Sequence, residues 1–120
     1  MKIYVAHSSN FEFKRKLYEP LRKSDLNKAH EIFLPQETGK EEVTRDLIKG
    51  CQLVIAEVSL PSTGEGIELG WADIFGIPIL CIYEAGTRRS LSLDYVTKNF
   101  IEYTDTLDMI QGIGDFIAKQ

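Results

Sequence analysis

The run Ala56-Glu57-Val58-Ser59-Leu60-Pro61-Ser62-Thr63-Gly64-Glu65-Gly66-Ile67-Glu68-Leu69-Gly70 decides the reading of this chain. It opens as the end of an apolar strand, Gln52-Leu53-Val54-Ile55-Ala56-Glu57, and closes as the first turn of an apolar helix expected over Gly66 to Phe75. The loop between them holds a proline, serines and glycines, and Glu68 is expected just inside the helix. Helix N-termini attract anions, and the loops that follow parallel strands are where α/β proteins bind ligands. The pattern points to a small anionic ligand held beside a reactive carboxylate.

Outward from this unit, strand and helix patterns alternate. Lys2 to Ala6 reads as the first strand, Glu31 to Leu34 as a second stopped by Pro35, and Leu53 to Val58 as a third. Pro78 to Tyr83 and Phe100 to Tyr103 read as the fourth and fifth. The third and fourth are apolar on nearly every residue, as expected of strands covered on both faces. Helical spacing runs from Phe11 to Leu26, where Pro20 predicts a kink or two short helices. Further helices are expected over Glu41 to Lys49, ended by Gly50, over Gly66 to Phe75, ended by Gly76, and over Leu107 to Ala118, begun by Asp105 or Thr106. Glu84 to Ser90 is a polar loop, and Leu91 to Lys98 a short helix. The alternation predicts one α/β domain over residues 1–120: a doubly wound, five-stranded parallel sheet with helices on both faces.

The 120 residues suffice for one core. A formal net charge of -4 argues against a nucleic-acid polymer as partner, though a mononucleotide needs only a local anion site. Cys51 and Cys81 fall in or beside apolar strands and read as reduced core thiols. No leader is expected before the first strand, and no apolar run is long enough to span a bilayer, so a soluble, cytoplasmic protein is expected. No cluster of Cys and His has metal-ligand spacing, and no Walker or dinucleotide glycine pattern is present. No metal or organic cofactor is expected.

Three strand ends carry chemistry: Ala6 to Asn10, Glu57 to Glu68, and Glu84 to Ser92. Glu68 serves either as a partner for the helix dipole or as a nucleophile on a sugar carbon. Ser62 either caps the helix or gives its hydroxyl to a phosphate. Glu57 is either a structural ion-pair partner or a second acid. Arg88 and Arg89 are a solvated pair or a phosphate screen. His7 is a general acid or a hydrogen-bonding structural residue, and Trp71 packs in the core or lines the face that Glu68 shares.

The run from Ala56 to Ala72, together with Ile79-Leu80-Cys81, resembles the nucleoside 2-deoxyribosyltransferase superfamily and, within it, the 2'-deoxynucleoside 5'-monophosphate N-hydrolases. The resemblance implies the flavodoxin-like strand order 2-1-3-4-5, and it implies that Glu68 attacks the anomeric carbon of a deoxyribose. It implies that Ser62 stands where the transferases carry an aspartate that meets the sugar hydroxyls; a hydroxyl there suits a 5'-phosphate that a carboxylate would repel. It further implies a phosphate contact at Gly64, pocket roles for Tyr4 and Ser8, and a homodimer in which Ser92 reaches the ligand of the neighbouring subunit. The chain departs from the hydrolases at Asn10, where they carry an arginine, and at Gln36 or Glu37, where they carry a histidine. Their second catalytic aspartate aligns with Thr44, while Asp46 lies two residues on. Asp46, or Glu57 in its place, is the acid expected to assist departure of the base.

The expected activity is hydrolysis of a deoxynucleoside monophosphate through a glutamyl-sugar intermediate. Base exchange and non-catalytic nucleotide sensing are the alternatives.

Overall fold

Side chains along each strand alternate between two apolar layers, which sets the architecture. The computed structural model describes residues 1–39 and 43–120. Five strands, β1 (Lys2–His7), β2 (Glu31–Phe33), β3 (Leu53–Glu57), β4 (Ile79–Glu84) and β5 (Asn99–Tyr103), form one parallel sheet in the order β2-β1-β3-β4-β5. The helices are α1 (Glu19–Lys23), α2 (Asp25–Ala29), α3 (Thr44–Lys49), α4 (Thr63–Ile74) and α5 (Thr106–Ala118). One face of the sheet packs Ile3, Val5, Ile55, Leu80 and Ile82 against Leu17 from the turn ahead of α1, Leu21 of α1, and Met109 and Ile113 of α5. The other packs Tyr4, Ala6, Val54, Ala56, Ile79 and Cys81 against Ile48 of α3 and against Leu69 and Ala72 of α4. Helices thus cover both faces, as the unbroken apolar pattern of β3 and β4 predicts. Both cysteines are free and buried.

Element boundaries differ from the sequence reading where local chemistry intervenes. Pro20 has no N–H to give the Lys16 carbonyl, so the turn ahead of it, Lys14–Tyr18, is wound as a π-helix before α1 begins. The chain then extends at Ser24 and restarts as α2, so the two short helices part at Ser24 rather than at Pro20. Leu34 is buried but lies beyond the last ladder residue of β2. The helix expected from Glu41 is described from Thr44 onward; Lys40, Glu41 and Glu42 lie outside the described residues. Leu91–Tyr95 is a short 3-10 helix, and Asp105 caps α5 by accepting the Asp108 N–H at 2.8 Å.

The boundary that matters for function is the start of α4. Ser62 is extended and its Oγ accepts the Glu65 N–H at 3.3 Å, while its carbonyl accepts the Gly66 N–H at 3.0 Å. The helix therefore starts at Thr63, three residues ahead of the expected Gly66. Glu65 occupies its first turn and Glu68 its second. At the other end Gly76 has φ 71°, and the Gly76 and Ile77 N–H groups return to the Asp73 and Ala72 carbonyls, a Schellman close. Among the described residues no helix is long and apolar enough to cross a membrane.

Candidate active site

β1 is an inner strand, and its Tyr4 points to the α4 side with its ring fully buried. Register places Tyr4 beside Val54 of β3, under the second turn of α4. The Tyr4 hydroxyl donates to Glu68 Oε2. Glu68 is half-buried. Burial pushes its carboxyl above the usual glutamate range, and the hydroxyls of Tyr4 and Thr44 pull it back by favouring the anion. Burial and the neighbouring Glu68 charge together raise the Tyr4 phenol, which stays a donor. None of the ion pairs among the described residues includes Glu68. The carboxylate is oriented by the Tyr4 hydroxyl and, among the described residues, paired with no cation, which suits a group that must attack an electrophilic carbon.

The N-terminal end of α4 supplies a second feature. Ser62, Thr63, Glu65, Gly66 and Leu69 line a cavity of about 300 Å³ together with Ser90 and Ser92 from the segment after β4. Ser62 is the helix cap, one of its two alternatives, but capping uses only an acceptor lone pair and leaves the hydroxyl proton free to donate. A side chain built at Gly64 or Gly66 would meet nothing within 4 Å, and neither residue has positive φ. Neither backbone conformation nor packing demands these two helical glycines, each of which costs about 0.5–1 kcal/mol relative to alanine. They leave the backbone open to close approach from outside. Ser92 lies at the same cavity as Ser62 of its own chain.

Glu57 and Asp46 are not brought to Glu68. β3 alternates, so Glu57 turns to the face opposite Tyr4, where Tyr103 donates to its Oε2 and the Ser59 N–H to its Oε1 at 2.6 Å. At 1% exposure it is sealed, in a hydrogen-bonded rather than an ion-paired structural role. Asp46 faces solvent, its side chain 76% exposed, with the Arg45 guanidinium 3.8 Å away. Two residues along a helix turn a side chain by more than half a revolution. Thr44, the first residue of α3, therefore meets Glu68 and Asp46 does not.

Ser8 is buried and folded into its own loop, its Oγ accepting the Asn10 N–H at 3.1 Å. His7 takes the structural alternative. It stacks on Phe13 at 4.4 Å, its Nδ1 donates to the Ser8 carbonyl, and its Nε2 lies 2.7 Å from the Tyr18 hydroxyl, which in turn accepts the Gln36 N–H. Burial lowers its pKa, in keeping with a neutral ring. Arg89 lies over the Phe100 ring and pairs with Asp94, whereas Arg88 is exposed. Trp71 is half-buried against the apolar cluster under α4.

Glu65 is the residue that the sequence reading passes over. It is 5% exposed, and its Oε2 has no hydrogen-bond partner among the described residues. Burial first, and the neighbouring Glu57 and Glu68 next, push its carboxyl up to about 9, so it is neutral at pH 7. The available signal was its spacing: Glu65, Leu69 and Ala72 fall on one helical face, and a helix begun at Thr63 turns that face inward. Among the described residues no group of three His, Cys, Asp or Glu side chains is placed to hold a metal ion.

The chain has a parallel 2-1-3-4-5 sheet with an oriented carboxylate on the helix after β3. In fold and in sequence it is similar to proteins of the nucleoside 2-deoxyribosyltransferase superfamily. It superposes on the CMP N-glycosidase of Clostridium botulinum with a TM-score of 0.69 and 26% identity, over 95% of this chain and 99% of that one. The 2-deoxyribosyltransferase of Bacillus psychrosaccharolyticus gives a TM-score of 0.66 and 25% identity, over 91% of this chain and 90% of that one. In sequence it is 42% identical over 45 residues, 38% of this chain, to a Syntrophotalea carbinolica protein named as a 2'-deoxynucleoside 5'-phosphate N-hydrolase. It is 46% identical over 50 residues, 40% of this chain, to the 5-hydroxymethyl-dUMP N-hydrolase of Mus musculus. The matched segments span 32% and 29% of those two relatives. No protein-family model matches the chain.

Proposed function

We propose that the protein hydrolyses the N-glycosidic bond of a 2'-deoxynucleoside 5'-monophosphate. The observation that carries this reading is Glu68, which accepts a hydrogen bond from the Tyr4 hydroxyl and, among the described residues, stands in no ion pair, on a helix whose N-terminal end lines a cavity. In the first step a Glu68 carboxylate oxygen bonds to C1' as the C1'–N bond breaks. The bonding pair leaves with the base, which takes up a proton. In the second step water attacks C1', the ester opens, and Glu68 returns as a carboxylate with deoxyribose 5-phosphate released. Ser62, the backbone at Gly64 and Ser92 hold the phosphate, aided by the positive end of α4.

The apolar surface on the α4 side supports association of two copies. Ile67 and Ile74 of α4, and Leu91 and Tyr95 of the 3-10 helix, are all exposed, Ile74 at 81% and Tyr95 at 88%. A homodimer would bury them, and Ser92, adjacent to Leu91, would then stand near both sites. The free thiols fit a reducing compartment such as the cytoplasm.

The test is a panel of deoxynucleoside monophosphates assayed by chromatography. Free base together with deoxyribose 5-phosphate is the expected result. The likeness to a 2-deoxyribosyltransferase favours one second reading, in which another base replaces water as the acceptor. A new nucleoside formed only when a second base is supplied would establish exchange. Binding without any base release would establish a sensor.

A further inference from the structure

The reaction above leaves Glu65 without a task, although it is the least comfortable side chain near the site. It sits in the first turn of the twelve-residue α4, more than nine-tenths buried, and lines the same cavity as Ser62, Ser90 and Ser92. Its backbone N–H is committed to Ser62, but its Oε2 has no partner among the described residues. Val58, Leu60, Pro61, Leu69 and Leu93 make much of the cavity wall apolar. Natural proteins rarely leave a buried carboxyl oxygen unpaired, because its desolvation is not compensated.

The groups facing it explain its protonation state. Glu68 lies one turn along the same helix and Glu57 ends β3. Cys81 on β4 carries a thiol that burial keeps protonated, and the Arg89 guanidinium beyond it is already paired with Asp94. Two carboxylates and an apolar wall favour the neutral acid. A neutral carboxyl carries an O–H donor that a carboxylate lacks. Among the described residues nothing pairs with its Oε2.

We propose that the Glu65 carboxyl O–H donates a hydrogen bond to an oxygen of the phosphoryl group seated at the N-terminus of α4, so that Glu65 makes phosphate recognition sensitive to alkali. The inference rests on the phosphate end of the reading above and deepens it. Ser62 supplies a second hydroxyl donor and the α4 amides the fixed positive end, so the acid form of Glu65 adds one more donor to that set. When Glu65 ionises, the donor is lost and a negative charge takes its place beside the phosphate. Binding of the anion in turn favours the acid form, so phosphate binding at alkaline pH takes up a proton.

The full chain is titrated with inorganic phosphate by calorimetry at pH 8 and pH 10, where the probe remains a dianion. Wild type is expected to bind about tenfold more weakly at pH 10 and to take up a proton on binding near pH 9. Glu65→Gln keeps a donor and cannot ionise. It should retain the pH 8 affinity, lose the alkaline weakening and take up no proton. Glu65→Val should weaken binding at least tenfold at pH 8. The proposal is overturned if wild type and Glu65→Gln share one alkaline profile, if Glu65→Val matches wild type, or if no phosphate binds. Base release is scored separately. Phosphate binding with the expected Glu65 dependence but no base release sinks the hydrolase reading and keeps this one. Base release indifferent to Glu65 does the reverse.

Discussion

Glu57 and Glu68 each accept a hydrogen bond from a tyrosine hydroxyl, one from Tyr103 and the other from Tyr4, on opposite faces of one sheet. The first pair is closed. Glu57 is wholly buried, and the Ser59 N–H occupies its second oxygen. The second is half-open, with Glu68 on a helix whose early turns carry glycines that no neighbour crowds. Chemically alike, the two pairs differ in what surrounds them. A carboxylate satisfied on both oxygens and sealed from solvent ties β3 to β5. One oriented by hydroxyls and left within reach of solvent is available for bond formation.

Exchanging the two acids for their amides breaks this comparison most sharply. Glu68→Gln is expected to abolish base release while cooperative unfolding persists. Glu57→Gln should lower stability and leave residual turnover measurable at temperatures where the variant is folded. Thermal melts beside the chromatographic assay read both, and comparable turnover losses in the two variants would erase the distinction.

The tyrosines come next. Tyr4→Phe removes a hydrogen bond to the charged form of Glu68, so kcat should fall about tenfold to a hundredfold. The acid limb of the pH–rate profile, already above the usual carboxylate range because burial raises Glu68, should move further up. Tyr103→Phe should leave that limb in place and cost roughly 1–3 kcal/mol of stability, because a buried carboxyl oxygen loses its donor.

Glu65 sharpens the contrast through stability and pH. Its carboxyl titrates near the usual 4.5 in the unfolded chain and at about 9 in the folded one. The folded state therefore binds more protons in that window. Stability from this group is full below the unfolded value and is lost as pH rises toward the folded value, by up to about 1.4 kcal/mol per pH unit. Glu65→Gln should remove that loss. The variant should melt above wild type at pH 8 by a larger margin than at pH 5, and equal margins would show that Glu65 is not held neutral.

The smallest effects distinguish Thr44 from Asp46. Thr44→Val should reduce turnover by about tenfold or less, the worth of one hydroxyl near a charged group. Asp46→Ala, at an exposed position, should stay within about twofold of wild type. The reverse ranking would mean that α3 moves when substrate binds.

Strand identities and the loop-helix unit after β3 were legible in the chain, because apolar runs, capping serines and terminal glycines act within a few residues. Glu68 and Ser62 could be picked out in the same way, from residue type at a given spacing; strand order and Tyr4 came from the family resemblance. The side each acid faces was not legible. Starting α4 at Thr63 moved Glu68 into the second turn and turned Glu65 inward; β3 pairing and alternation carried Glu57 to the Tyr103 face; and the seating of α3 against α4 set Thr44 in front of Glu68 with Asp46 in solvent. Local pattern specifies which elements form. Register and the packing of elements distant in the chain determine which carboxyl is sealed, which is strained toward its acid form and which is left free to react, because desolvation and hydrogen-bond partners exist only once those elements meet.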